Sequence, residues 1–177
     1  ERIAEREFHY HVAPILPALL QTREYAAALT AEAMLVRADL AERVVDFRMA
    51  RATRLTDPDR PLRLDAVVSS AVLDVEVGAP AVQRAQLTHL AAMAELPNVT
   101  VQVLRPEDAV RAGYHASGFV LMSFDAVSQC GYVELLDDAV YVYDRDRLRT
   151  YSTCAEDLQR VALSPEQSLA LIRSKIT

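Results

Sequence analysis

Three arginines at spacings of three are the residues of this chain best suited to binding an anion. Arg48, Arg51 and Arg54 fall in a segment with helical periodicity, so they lie roughly along one side of the predicted helix. Arg51 also continues the apolar line of that helix, where a hydrophobic residue would be expected. The interpretation we favour is structural, with the arginine stems covering the core. The alternative is that Arg51 points into a cavity and pairs with an anionic ligand or a partner's carboxylate.

Residue patterns typical of enzymes are sparse. No Gly-x-Ser-x-Gly turn occurs, and Cys130 has no base beside it in the sequence, although a cysteine and a distant histidine could still meet in space. Only 4 glycines are present, too few to assemble a Walker A loop or a dinucleotide fingerprint. We therefore predict no catalytic residues, no cofactor and no enzyme activity. The remaining enzymatic hypothesis is a cleft that joins His115 to a carboxylate or a cysteine.

Metal-binding spacing is also weak. His9 and His11 are two positions apart, so on a predicted helix they point to different sides, and His89 stands alone. Cys130 and Cys154 lack metal-type spacing, and we predict that both are reduced, buried thiols in a cytoplasmic protein. The sequence predicts no metal site.

Composition narrows the class of protein. The chain has 177 residues, of which 51% are hydrophobic and 25% charged, as is ordinary for a globular protein. Its formal net charge is -6, and an acidic surface repels the phosphates of nucleic acid. Any action on DNA is therefore expected to lie elsewhere in a longer polypeptide. No apolar run approaches the length of a membrane span, and the beginning of the chain lacks a signal-peptide layout.

The first third of the chain is predicted to be helical. Residues 1–11 suggest the tail of a helix, which Pro14 and Pro17 interrupt. Thr22 is a candidate N-cap for the next helix, and Asp39 for the helix that carries the arginines. The break at residues 57–61 is the best candidate boundary between two lobes, 1–57 and 62–177, of a single domain.

The remainder is predicted to be α+β. Alternation over 62–68 and 99–103 indicates strands, with a short helix over 70–75 and a helix from Pro80 to about residue 96 between them. After a polar loop over 105–117, strands are predicted over 118–124, 131–135 and 139–143, the last two joined by a tight turn. Asp144 and Ser164 are candidate N-caps of two final helices. The predicted fold has N-terminal helices packed on a small, mostly antiparallel sheet with C-terminal helices.

One segment is more specific than any of these patterns. Residues 15–26, ILPALLQTREYA, are similar to the PGLLQT-x-x-YA signature of an actinobacterial family. In that family a domain of unknown function follows an XRE-type helix-turn-helix in regulators of the WhiJ-like kind. The resemblance covers essentially the whole chain. It continues through Arg48-x-x-Arg51, Gln86-Leu87-x-His89-Leu90, residues 97–104, Gly113-x-His115, Gly118-Phe119, Tyr132-Val133-Glu134 and residues 162–168.

The chain departs from the family pattern at three positions that matter. Ala18 replaces the signature glycine, where a turn needing positive φ would be altered. Ala52 and Ser70 replace a usual glutamine and a common acidic residue. If these side chains form a polar cluster with Arg51 in the family, this member has lost part of it.

The resemblance implies a role in transcription regulation. The chain would be the non-DNA-binding domain, preceded in the polypeptide by a helix-turn-helix domain, and would act in a cytoplasmic dimer. It would receive its signal from a small companion protein or a small-molecule effector. The alternative is a dedicated small-molecule sensor with an enclosed pocket.

The signature segment has two interpretations at the level of residues. The favoured one is a stiff apolar plug, in which Gln21 and Thr22 satisfy helix-start amides. The functional one is a shared pocket with a few polar groups among apolar walls. Its ligand- or partner-binding residues would be Gln21, Tyr25, Arg48, Arg51, His115 and Glu134.

Overall fold

A computed structural model of the chain describes residues 4–13, 15–33, 36–111, 118–124, 128–135 and 138–176. The strands of the described part are β1 (Arg6–His11), β2 (Arg63–Ser69), β3 (Val99–Leu104), β4 (Phe119–Ser123), β5 (Gln129–Glu134) and β6 (Ala139–Val142). Its α-helices are α1 (Arg23–Glu32), α2 (Ala41–Ala52), α3 (Pro80–Met93), α4 (Pro106–Arg111), α5 (Arg145–Val161) and α6 (Pro165–Ser174). Short 3-10 helices cover Ala18–Leu20, Ala38–Leu40, Thr53–Thr56 and Ser70–Leu73. The predicted α+β class is confirmed.

All six strands form one mixed sheet in the order β3-β2-β1-β4-β5-β6. β1 pairs with β2 in parallel and β2 with β3 in parallel, whereas the pairs β1–β4, β4–β5 and β5–β6 are antiparallel. β1 is therefore the strand at which the parallel part of the sheet meets the antiparallel part.

Helices cover both faces of this sheet. The buried residues form two cores, one on each face. On the first face, alternate residues of the parallel strands, such as Leu64, Ala66 and Val68, pack against residues of the signature segment, α1, α3 and α6 to form the larger core. On the other face, Phe8 and Tyr10 of β1 join the smaller core that includes Leu148 and other residues of α5. α2 packs chiefly on α1 and the 3-10 helix Ala18–Leu20 rather than on the strands, which leaves space between it and the sheet.

The prediction of a helix over residues 1–11 is wrong for the described part of that segment. Arg6–His11 is a central strand, with Glu7, Phe8, His9 and Tyr10 all buried. Charged and histidine residues alternate there with aromatic residues, which is the period of two that places side chains on opposite faces of a sheet. The charges suggested a solvated helix because a strand with Glu7 and His9 in the core is unusual.

Helix starts were largely predictable. The Thr22 hydroxyl accepts a hydrogen bond from Tyr25 N at 3.2 Å, the Asp144 carboxylate caps α5 through Arg147 N, and Ser164 forms a full capping box with Gln167. The prediction for Asp39 is wrong, because α2 begins after a 3-10 turn and Asp39 pairs instead with Arg37.

The predicted polar loop over 105–117 contains α4, and its residues 112–117 lie outside the described residues. Asp137, in the predicted turn between β5 and β6, also lies outside them. Ala18 lies in a 3-10 helix, and no described residue other than Gly78 has a positive φ, so the alanine at the family's glycine position is not strained there. Among the described residues no helix is long and apolar enough to cross a membrane.

The two outer strands of the sheet differ in how their edges are covered. On β3, the Val103 amide donates to the Ser168 hydroxyl at 2.9 Å, and the Val103 carbonyl accepts from Leu163 N. The turn between α5 and α6 therefore satisfies polar groups on that edge. On β6, Tyr141 is 55% exposed and Tyr143, just after the strand, is 69% exposed.

Candidate functional site

A cleft of about 430 Å³ lies between α2 and the sheet. Its floor is a row of side chains from three adjacent strands, because His9 of β1 pairs with Val120 of β4 and Val120 pairs with Tyr132 of β5. Phe47 and other residues of α2 form one wall. The segment between β1 and α1 forms another, so the signature lines this cleft as well as plugging the core.

The structure brings together four of the six residues predicted to bind a ligand or partner. Gln21, Arg48, Arg51 and Glu134 line the cleft, although they come from three separate parts of the chain. Tyr25 does not line it: its side chain is fully buried in the larger core, where burial raises its pKa. His115 lies outside the described residues.

Arg48 is the cation of this cleft whose surroundings are best defined. One guanidinium nitrogen donates to the Thr30 hydroxyl at 3.2 Å, a neutral acceptor. Burial lowers the pKa of Arg48, while the Glu134 carboxylate raises it and the neighbouring Arg51 lowers it further. The charge of Arg48 is thus desolvated in part, and Glu134 acts on it from the other side of the cleft.

Arg51 lies one turn further along α2, with its guanidinium carbon 5.8 Å from the centre of the Phe47 ring. The same Phe47 is 63% exposed, which is high for an aromatic side chain. Arg51 and Phe47 also line a second cleft of about 430 Å³, together with Glu7 and Arg54. Arg48 and Arg51 line the first cleft and Arg51 and Arg54 the second, and Arg54, which lies in the 3-10 helix after α2, donates to the carbonyl of Ala4 at 2.7 Å.

Gln21 contributes a buried acceptor to the cleft. Its amide nitrogen donates to the carbonyl of Leu16 at 2.7 Å, which fixes the side chain to the signature segment. Its amide oxygen is buried and has no hydrogen-bond partner within the described part of the chain. A buried amide oxygen without a donor is costly, so a bound molecule with an N–H or O–H group would be stabilised at this position.

Glu7 and His9 are functional candidates that the sequence reasoning missed. Both side chains are buried, and His9 Nε2 lies 2.7 Å from a carboxylate oxygen of Glu7. His9 Nδ1 is buried without a partner among the described residues. In a neutral imidazole whose Nε2 donates to Glu7, Nδ1 is an acceptor, so it too would be satisfied by a donor group. The signal that could have revealed the pair is the alternation of Glu7, His9 and His11 with Phe8 and Tyr10.

His11 extends this polar line along β1. Its ring stacks on that of His9 at a centroid distance of 6.0 Å, so the two histidines share a face rather than pointing apart as the helix prediction required. Burial, with a smaller contribution from the neighbouring His9, lowers the pKa of His11 to about 4. His11 is therefore uncharged at neutral pH, and Arg48 and Arg51 are the strong cations of the cleft.

Other chemistry finds less support in the described residues. They contain no group of three or more histidine, cysteine or acidic side chains able to hold a metal ion. Both cysteines are free thiols, and burial raises the pKa of Cys154 to about 11, so that thiol stays protonated at neutral pH. What the cleft offers is a set of charged and hydrogen-bonding groups beside apolar walls, an arrangement suited to binding.

Comparison with known proteins identifies the family. No curated protein and no solved structure matches the chain. A family model does match, over residues 1–174, and it is described as a domain of unknown function (DUF5753). Since that match spans nearly the whole sequence, the chain belongs to the DUF5753 family.

Proposed function

We propose that this chain is the signal-receiving domain of a DNA-binding transcriptional regulator, and that it binds a small polar molecule in the cleft beneath α2. The observation that carries the proposal is the convergence of Gln21, Arg48, Arg51 and Glu134 on one cleft with buried acceptors left over. Ligand binding there would alter the affinity for DNA of a helix-turn-helix domain elsewhere in the same cytoplasmic polypeptide.

The regulatory part of the proposal has two supports. The resemblance of residues 15–26 to the signature of helix-turn-helix regulators is one. The other is the net charge of -6, because an acidic domain is repelled by the phosphates of DNA. Contacts with DNA would then be made by a separate, basic domain. No described feature favours an enzyme over a binding domain.

Ligand binding is tested by thermal denaturation of the purified protein against a broad set of polar metabolites. A ligand at 100 times its Kd stabilises a protein by about 2.7 kcal/mol, which is readily seen as a rise in Tm. The rise should be lost in Arg48→Gln and kept in Arg43→Gln, an exposed arginine of the same helix. If no metabolite raises Tm, or if both variants respond as the wild type does, the cleft is not the binding site.

The regulatory role is tested on the gene. We expect a helix-turn-helix to be encoded upstream of residue 1, and the ligand found above to change the affinity of the whole polypeptide for its operator. A gene without any DNA-binding domain would overturn this part of the proposal.

A second candidate signal is a small companion protein, and the surface of β6 favours it. β6 is the last strand in the sheet order, and Val140, Tyr141 and Tyr143 are exposed along it. A partner could add a strand to this edge and cover those side chains. The test is co-purification with a small protein encoded nearby: Tyr141→Lys should abolish it, and Arg149→Glu at an exposed position of α5 should not. The same purification, by light scattering, tests the expected homodimer.

A further inference from the structure

We infer that the cleft beneath α2 takes a free α-amino acid with an apolar side chain. The inference rests on the proposed function, since it names the class of molecule bound at the same site. It follows from the signs of the charges in the cleft, the direction of its unsatisfied hydrogen bonds and its apolar walls.

The charges of the cleft require a ligand with charges of both signs. Arg48 and Arg51 favour a carboxylate, but a purely anionic ligand would be repelled by Glu134. Glu134 favours an ammonium group, but a purely cationic ligand would be repelled by the two arginines. A zwitterion can place its carboxylate near the arginines and its ammonium group near Glu134, so that neither group of the ligand faces a like charge.

The unsatisfied hydrogen-bonding atoms match the ammonium end. Gln21 Oε1 is a buried acceptor without a donor among the described residues, and so is His9 Nδ1 in the neutral imidazole whose Nε2 donates to Glu7. An ammonium group carries three N–H donors and accepts none, so it matches a cleft with two free acceptors and a nearby carboxylate. A second carboxylate, ionised at neutral pH, would have no donor for either atom.

The two ends of the ligand must be close together. Arg48 and Glu134 line the same cleft of about 430 Å³, so a ligand that contacts both must carry its carboxylate and its ammonium group within the width of that cleft. In an α-amino acid the ammonium and carboxylate groups are attached to one carbon, which places opposite charges at the shortest separation a zwitterion allows. A longer molecule with charges at opposite ends would not present both to this pair.

The walls account for the rest of the molecule. Apart from the polar groups already described, the cleft is lined by hydrophobic side chains, among them Ile15, Leu16, Val44, Phe47 and Val120. Its volume of about 430 Å³ falls within the range of small-ligand clefts, about 300–1,000 Å³. An apolar side chain on the ligand would cover the exposed ring of Phe47, which the fold leaves 63% in solvent.

The experiment compares blocked and unblocked forms of the same compound by calorimetry. The twenty L-amino acids are titrated first, and the strongest binder is then compared with its N-acetyl form, its carboxamide and its homodipeptide. We expect an apolar amino acid to bind, and its N-acetyl form and its carboxamide to bind at least about tenfold more weakly, because each loses one charge-assisted contact. The homodipeptide keeps both charges but separates them, and it should also bind more weakly than the amino acid.

Two variants assign the ends of the ligand. In Arg48→Gln the preference for the free acid over the carboxamide should shrink, because only Arg51 is left to favour the carboxylate, and in Glu134→Gln the preference for the free amine over the N-acetyl form should shrink. Arg43→Gln and Glu156→Gln, exposed residues on α2 and α5, are the matched controls and should keep the wild-type discrimination. If either cleft variant fails to fold, the blocked compounds on the wild-type protein decide the question alone.

The outcomes separate this inference from the proposed function. If no amino acid binds, or if the blocked forms bind as well as the free one, the inference is overturned. A dipeptide stronger than its amino acid would overturn it too, in favour of peptide termini. If a different metabolite then binds in a manner sensitive to Arg48→Gln, the proposed function stands without this inference. If nothing binds there, both fail.

Discussion

Two buried glutamines one turn apart on α3 should respond in opposite ways to the same substitution. Gln86 is fully buried, and its side chain joins α3 to the signature segment at two points. Its amide oxygen accepts from Thr22 N at 2.7 Å, and its amide nitrogen donates to the carbonyl of Leu20 at 2.8 Å. Gln83 is also buried, but neither polar atom of its side chain has a partner within the described residues.

The expected magnitudes follow from these contacts. Gln86→Leu keeps the side-chain volume but orphans the Leu20 carbonyl and the partly buried Thr22 amide, each costing roughly 1–3 kcal/mol. We expect a loss of about 3 kcal/mol in the free energy of unfolding. Gln83→Leu orphans nothing and removes an unsatisfied amide from the interior, so it should raise the free energy of unfolding by about 1 kcal/mol.

Urea denaturation of the wild type and the two variants measures both effects. The comparison holds the helix, the residue type and the replacement constant, so differences in helix propensity and side-chain size cancel. The reasoning would be refuted if the two variants shifted the unfolding free energy in the same direction by similar amounts.

A third variant tests the hydrogen-bond assignment at Gln86 rather than its burial. In Gln86→Glu the carboxylate still accepts from Thr22 N, but when ionised it has no hydrogen to donate to the Leu20 carbonyl. Protonation restores that donor, so the destabilisation relative to wild type should shrink as the pH falls. If the difference in unfolding free energy between Gln86→Glu and the wild type stayed constant from pH 7.5 to pH 5, the hydrogen bond from Gln86 to the Leu20 carbonyl would be contradicted.

Three further predictions concern β1 and the strands near it. Since burial lowers the pKa of His11 from 6.5 to about 4, the unfolded chain takes up the proton first, and stability is lost as pH falls through that window. Urea denaturation at pH 7.5 and 4.5 measures how much unfolding free energy each protein loses on acidification. We expect this loss to be about 2 kcal/mol smaller in His11→Gln than in the wild type, and equal losses would contradict the prediction. Ser168→Ala should cost roughly 1–3 kcal/mol and speed hydrogen exchange at the Val103 amide, whereas unchanged exchange would show that this contact does not protect the edge. Gly118→Ala places a Cβ atom 2.3 Å from the carbonyl oxygen of Tyr10, so thermal denaturation should show a loss of roughly 1–3 kcal/mol, and a wild-type Tm would refute the clash.

The sequence was informative wherever local signals agree with the fold. Thr22, Asp144 and Ser164 cap helices because capping depends on residues within one turn. The alternation over β3 predicted its strand because one face of that strand is strongly apolar. The α+β class followed from such elements.

What could not be predicted depends on contacts between distant residues. Tyr25 belongs to the signature, but the packing of α1 decides whether its side chain lines a cleft or fills the core. In the structure the side chain lies in the larger core. Glu7 and His9 pair with each other in the interior, so a prediction that treats charged and polar side chains as solvent-exposed was wrong for this segment. Conversely, Arg48 of α2 and Glu134 of β5 line the same cleft, although 86 positions separate them and no local pattern contains both.

The central position of β1 has a consequence for how the chain folds. Arg6 pairs with Arg63 on one side and with Ser123 on the other, partners 57 and 117 positions later in the chain. The middle of the sheet therefore cannot close until most of the domain has left the ribosome, and contacts of such long range make folding slow. Until then Phe8 and Tyr10 are exposed on an unpaired strand, and the nascent domain should be most prone to aggregation before residue 123 emerges.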